Sequence, residues 1–165
     1  WLMQVQGQSR EVAAWHLLLT TLAMISGSLG TAVFIGPLRQ RGITPGQVLT
    51  AANLLGLLAM AAVWQGVGSS HLMWFVLGAV YAVGNLAYAE LTTRFDPALA
   101  GRVNSALNLC TFSGAFAIQW GYGLLLDWLV AMGWTLADSH RASFVSLAAL
   151  QAVSLGWYLW RRPRV

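Results

Sequence analysis

Asn104, Asn108, Thr111, Ala115, Gln119 and Tyr122 recur at three- and four-residue intervals within GRVNSALNLCTFSGAFAIQWGYGLLLD, residues 101–127. At about 100° per residue they form one narrow stripe of a helix, while Leu107, Leu109, Phe116, Leu124 and Leu125 lie elsewhere. Amides, a hydroxyl and a phenol bring hydrogen bonding without fixed charge: they can orient a polar solute or join neighbouring helices. Tyr81, Asn85, Tyr88 and Thr92 make a second such stripe, and His16, Thr20, Met24, Gly27 and Thr31 a weaker third. In lipid, polar groups turn toward other helices or a wet cavity. Interhelical hydrogen bonds average about 0.6 kcal/mol, so packing alone accounts for single residues. Two continuous faces exceed what packing needs, and cavity lining is the favoured reading.

Charged and reactive groups add little. Glu90 is an intramembrane carboxylate and so a candidate for proton coupling, as is His16 about one turn inside its boundary. Glu90, however, lies off the polar face and precedes Arg94 by four residues, the order that favours a local ion pair. His16 reads more simply as an interfacial histidine with its bonds satisfied. Asp127 ends its span where a solvated carboxylate costs little. His16, His71 and His140 are dispersed without H-E-x-x-H spacing, and no P-loop or G-x-S-x-G motif occurs. Neither an enzyme, nor a metal site, nor a cofactor is expected. The single Cys110 excludes an intrachain disulfide.

The elements that must position these stripes are membrane helices. Of 165 residues 58% are hydrophobic and 8% charged, with mean hydropathy +0.63. Apolar runs long enough to cross a hydrocarbon core of roughly 30 Å recur along the chain. They predict an all-α membrane protein with five spans, near 13–35, 47–66, 71–93, 103–126 and 142–160. Gly36-Pro37 and the following LRQRGITPG should close the first span. GVGSS separates the second from the third, and FDPALAGR, with Asp96-Pro97 as a helix start, the third from the fourth. The longest connection is expected at 128–141.

All nine basic residues are arginine. Arg39, Arg41, Arg94, Arg102, Arg161, Arg162 and Arg164 fall on one side of five alternating spans, and only Arg10 and Arg141 on the other. The positive-inside rule makes the first side, with the carboxyl terminus, cytoplasmic, and the clustering argues against a nucleic-acid partner. Trp15, Trp64, Trp74 and Trp128 mark outer ends, and Trp157 and Trp160 the inner end of the last span. Trp120 lies deeper, next to the polar stripe, where it packs between helices or faces the pathway, and packing is the favoured expectation. Ser26, Gly27 and Gly30 should let the first helix approach a neighbour closely. The chain begins at Trp1 without a visible signal peptide, and a longer polypeptide is expected.

The Arg-flanked GRVNSALN, the following GAFAIQWGYG and Asp127 resemble the eleventh helix of bacterial major facilitator superfamily (MFS) transporters. WLMQVQGQSREVAAWHLL resembles the end of helix seven and the start of helix eight, GTAVFIGPLRQRGITP the loop between helices eight and nine, and NLAYAELTTRFDPALAGR the passage from ten to eleven. Taken in order these pieces cover essentially the whole chain. The resemblance implies a partial MFS half-bundle, helices eight to twelve, with residues 1–6 a stub of helix seven and the amino-terminal half missing. It implies a multi-pass protein of the bacterial inner membrane that moves a small solute by alternating access. The third and fourth spans would line the cavity and the second and fifth would be peripheral. Tyr81, Asn85, Tyr88, Asn104, Asn108, Thr111, Gln119 and Tyr122 are then the candidate pathway residues. The loop departs from the family pattern: Arg39, Arg41 and Gly42 are present but the preceding acid is not, so no acid-dependent lock is expected there. The rival expectation is a membrane assembly subunit whose stripes only bind neighbouring helices.

Overall fold

The computed structural model describes residues 1–67 and 70–161. Gly68 and Ser69 of the GVGSS link, and Arg162 and Arg164 of the terminal basic cluster, lie outside the described residues. The helices are α1 (Arg10–Gln40), α2 (Pro45–Gln65), α3 (Ser70–Ala82), α4 (Leu86–Thr92), α5 (Ala100–Ala131) and α6 (Leu136–Arg161). A 3-10 turn, Val83–Asn85, joins α3 to α4 in one span, and another, Pro97–Leu99, leads into α5. Five helical segments are thus long and apolar enough to cross a membrane. Large apolar side chains such as Leu17, Phe34, Phe112 and Phe116 are more than 60% exposed, an outward surface suited to lipid and not to water. The chain is an all-α, multi-pass membrane protein.

Local chemistry sets the helix ends. Thr44 and Gln47 form a reciprocal capping box before α2, with Pro45 at the first helical position, where its missing N–H costs nothing. Asp96 Oδ1 accepts from the Ala98 N–H at 2.8 Å, so the Asp96-Pro97 start signal operates as expected. At the end of α1, Gly42 takes the left-handed conformation (φ 79°) that lets the Ile43 N–H reach back to the Leu38 carbonyl.

Three boundaries differ from the sequence expectation. α1 runs through Pro37 to Gln40 instead of closing at Gly36-Pro37. The ring is exposed and lies in the last turn, where one missing N–H is tolerated. The connection expected at 128–141 is only Met132 to Thr135, because Gly133 (φ 90°) turns the chain and Thr135 Oγ1 caps the Asp138 N–H at 3.1 Å. Hydropathy marks the hydrocarbon, not the helix: the 32 residues of α5 extend about 48 Å, well beyond a bilayer core. The third span is not one uniform helix. Over three residues at 3.0 instead of 3.6 per turn, the 3-10 turn rotates the faces before and after it by about 60° relative to each other.

α3 is central, packed on α1 and α2; α2 also contacts α6, while α5 meets the bundle mainly through α4 at one end and α6 at the other. The tightest contact is glycine-mediated. The Ala79 carbonyl of α3 occupies the place a Gly27 side chain would take, and the Thr20 carbonyl of α1 lies 2.5 Å from where a Gly78 Cβ would be. Gly30 has nothing within 4 Å, so of the two expected glycines only Gly27 mediates close approach. Ala59, Met60 and Val63 of α2, Leu77 of α3 and Phe144 of α6 form the buried apolar cluster.

Candidate functional site

Midway along the third span, Tyr81 donates its O–H to Gln151 Oε1 of α6 at 2.6 Å, with Met60 Sδ of α2 at 3.1 Å. Gln151 Nε2 donates onward to the backbone carbonyl and Oδ1 of Asn53 at 3.3 and 3.4 Å. Asn53 Nδ2 is bonded to the Leu49 carbonyl of its own helix at 2.9 Å. This knot joins α2, α3 and α6 at mid-span, so each pairing relieves a group that would be costly alone in lipid. Beside it opens a cavity of about 740 Å³, lined also by Met24 of α1, Trp74 and Leu77 of α3, Ile118 of α5 and Phe144 of α6. No charged side chain lines it among the described residues.

A second knot ties α4 to α5. Tyr88 Oη lies 3.0 Å from both Asn108 Oδ1 and Thr111 Oγ1. One phenolic hydrogen serves one of these; the Thr111 hydroxyl can donate in return, so both contacts are satisfied when Tyr88 donates to Asn108. Asn85 turns to α1, where its Nδ2 donates to Ser28 Oγ at 3.4 Å. Tyr122 Oη is 2.9 Å from His140 Nδ1 and fixes the far end of α5 to α6. Asn104 and Gln119 are exposed on α5, with no hydrogen bond among the described residues. α5 is thus tied to α4 at Asn108 and Thr111 and to α6 at Tyr122, with no side-chain hydrogen bond to another helix between them among the described residues; Leu129 is its only buried residue.

The eight candidate pathway residues thus divide. Tyr81 reaches the cavity, Tyr88, Asn108 and Thr111 pair with one another, Asn85 and Tyr122 bond to separate helices, and Asn104 and Gln119 remain open. Asn53 and Gln151, which supply the polar end of the cavity, come from the two helices the resemblance makes peripheral. A single mid-span amide per helix gives no periodic signal; only the rule that such an amide needs a partner could have pointed to them. Trp120, expected between helices, is 62% exposed and stacks on Phe116 of its own helix at 6.3 Å. Trp74, assigned to an interface, is partly buried against the apolar cluster.

Glu90 pairs with Arg94 at 3.2 Å, the spacing read from the sequence, and with Arg39 of α1 at 3.7 Å. These contacts bring the ends of α1 and α4 together and explain Arg39 without a solute. Arg41 caps the end of α1, and Gly42 supplies the turn. His16 is 1% exposed. Its Nδ1–H donates to the Val12 carbonyl at 2.8 Å, Nε2 is 3.1 Å from Ser70 Oγ, and the ring stacks on His71 at 3.9 Å. Ser70 Oγ is also 3.0 Å from Gln6 Oε1, and its single hydrogen serves either Gln6 or His16 Nε2; the contact pins the segment before α1 to the start of α3. No group of three or more His, Cys, Asp or Glu able to hold a metal occurs among the described residues. No protein-family profile, curated protein or solved structure matches the chain.

Proposed function

We propose that these helices are the carboxy-terminal part of an MFS-type secondary transporter that moves a small solute by alternating access, together with an amino-terminal half. In this reading the protein lies in the bacterial inner membrane with its Arg39 and Arg94 end cytoplasmic. The observation that carries the proposal is the middle of α5: among the described residues, the side-chain hydrogen bonds that tie this polar-striped helix to other helices are those with Tyr88 and through Tyr122, with Gln119 unpaired between them. A lipid-facing or tightly packed helix has no use for an unpaired amide at that depth. The pathway groups are neutral, so they orient solute by hydrogen bonds. Glu90 and His16 already have protein partners, which leaves coupling to the other half or makes the protein a uniporter.

The Tyr88–Asn108–Thr111 knot favours a second reading, an assembly subunit whose polar faces serve packing. Thiol modification separates the two. In a Cys110→Ser background, Asn108→Cys and Gln119→Cys are treated with a membrane-impermeant methanethiosulfonate in sealed vesicles of either orientation. A transporter gives modification at both positions, each from the side open at the time. Protection of both from both sides establishes the assembly reading.

A further inference from the structure

We infer that the cavity between α1, α2, α3, α5 and α6 is a binding site for an uncharged, largely apolar molecule bearing one hydrogen-bonding group, seated against Tyr81, Asn53 and Gln151. The size suits such a molecule: about 740 Å³ lies within the range of small-ligand pockets. The walls exclude ions. Met24, Met60, Leu77, Phe144, Leu147 and Leu150 provide apolar surface, and no charged group among the described residues offers a counter-charge. An ion entering would lose its hydration with nothing to replace it.

The polar end is not saturated by its internal bonds. Tyr81 Oη donates to Gln151, which leaves its lone pairs open, and one N–H of Asn53 is used on Leu49 while the other is free. An acceptor and a donor thus sit together, the pair a hydroxyl or an amide needs. Tyr81, at mid-span, is 43% exposed and lines this cavity. Toward the other end, Trp74 lines the same space and its buried indole N–H has no partner among the described residues. Trp74 precedes Tyr81 by seven residues, about 10 Å along the helix, so a rod-shaped molecule would span both. Two helices that the resemblance makes peripheral therefore contribute Asn53 and Gln151 to recognition, beside Tyr81 and Trp74 of α3.

The inference rests on the transport reading for the purpose of binding, not for binding itself. The test uses full-length protein in nanodiscs and equilibrium dialysis of radiolabelled 4-phenylphenol, with empty nanodiscs subtracted and variants matched for helicity. Biphenyl-4-carboxylate and tetraphenylphosphonium are the charged probes. Saturable binding of one phenylphenol per protein is expected, about tenfold weaker in Tyr81→Phe and Gln151→Leu, abolished by Leu147→Trp, and absent for both charged probes. No saturable binding to the wild type, binding unaffected by Leu147→Trp, or equal binding of a charged probe overturns it. So does a phospholipid that co-purifies one-to-one and is lost in Leu147→Trp, since the cavity is then a lipid slot. Phenylphenol binding with these dependences, in a protein whose Asn108 and Gln119 positions stay protected, upholds the site and refutes transport. The converse pattern refutes the site alone.

Discussion

Gly27 and Gly30 are one turn apart in α1 and equally small, yet alanine at the two positions should act in opposite directions. At Gly27 the new Cβ meets the Ala79 carbonyl oxygen, with Ala79 C and Cα each at 2.9 Å, and backbone cannot rotate aside as a side chain would. At Gly78 the Cβ would lie 2.5 Å from the Thr20 carbonyl, about 0.9 Å short of ordinary contact at 3.4 Å. Either change forces α1 and α3 apart. Overpacking of this kind costs about 1–3 kcal/mol, against a gain of about 1 kcal/mol for alanine over glycine in a helix. Gly27→Ala, with three backbone atoms crowded, falls at the upper end and should lose about 2 kcal/mol net. Gly30→Ala meets nothing and should gain up to about 1 kcal/mol. Reversible unfolding in mixed micelles, followed by circular dichroism, measures both. Equal effects, or a Gly27→Ala protein as stable as the wild type, would refute the close crossing.

Other consequences are more local. Tyr88→Phe removes the α4–α5 knot and should cost about 0.6–1.7 kcal/mol in the same unfolding assay, with a broader spin-label distance distribution between α4 and α5. Tyr122→Phe should broaden the α5–α6 distances at the opposite end and leave the α4–α5 distances unchanged. Glu90→Gln deletes both arginine pairs, but the arginines are half-exposed. Its cost should stay below about 1 kcal/mol and shrink further in high salt; a larger, salt-insensitive loss would contradict a surface pair.

Much of the framework was legible in residue order. Apolar runs located five helices, Asp96 with Pro97 announced a helix start, and Glu90 with Arg94 announced an ion pair because partner and spacing lie on one helix. What stayed illegible depends on other helices. Arg39 joins Glu90 from another helix, and no spacing rule links them. Periodicity identifies a face but not its neighbour: the 3-10 turn at Val83–Asn85 separates Tyr81 from Tyr88, and they meet different partners. Gly27 and Gly30 differ only in what crosses them. Asn53 and Gln151 became prominent because the fold places two isolated amides beside one tyrosine.

The central claim is that the polar face of α5 is wet while its opposite face meets lipid. A nitroxide scan of residues 103–126 in liposomes, with collision rates for oxygen and for a water-soluble nickel chelate, tests it most directly. Nickel accessibility should peak at Asn104, Asn108, Thr111, Ala115, Gln119 and Tyr122, out of phase with oxygen peaks near Leu109, Trp120 and Leu124 on the opposite, exposed face. Low nickel accessibility at all of these positions would mean a helix whose polar groups serve packing, and the pathway would be lost with it.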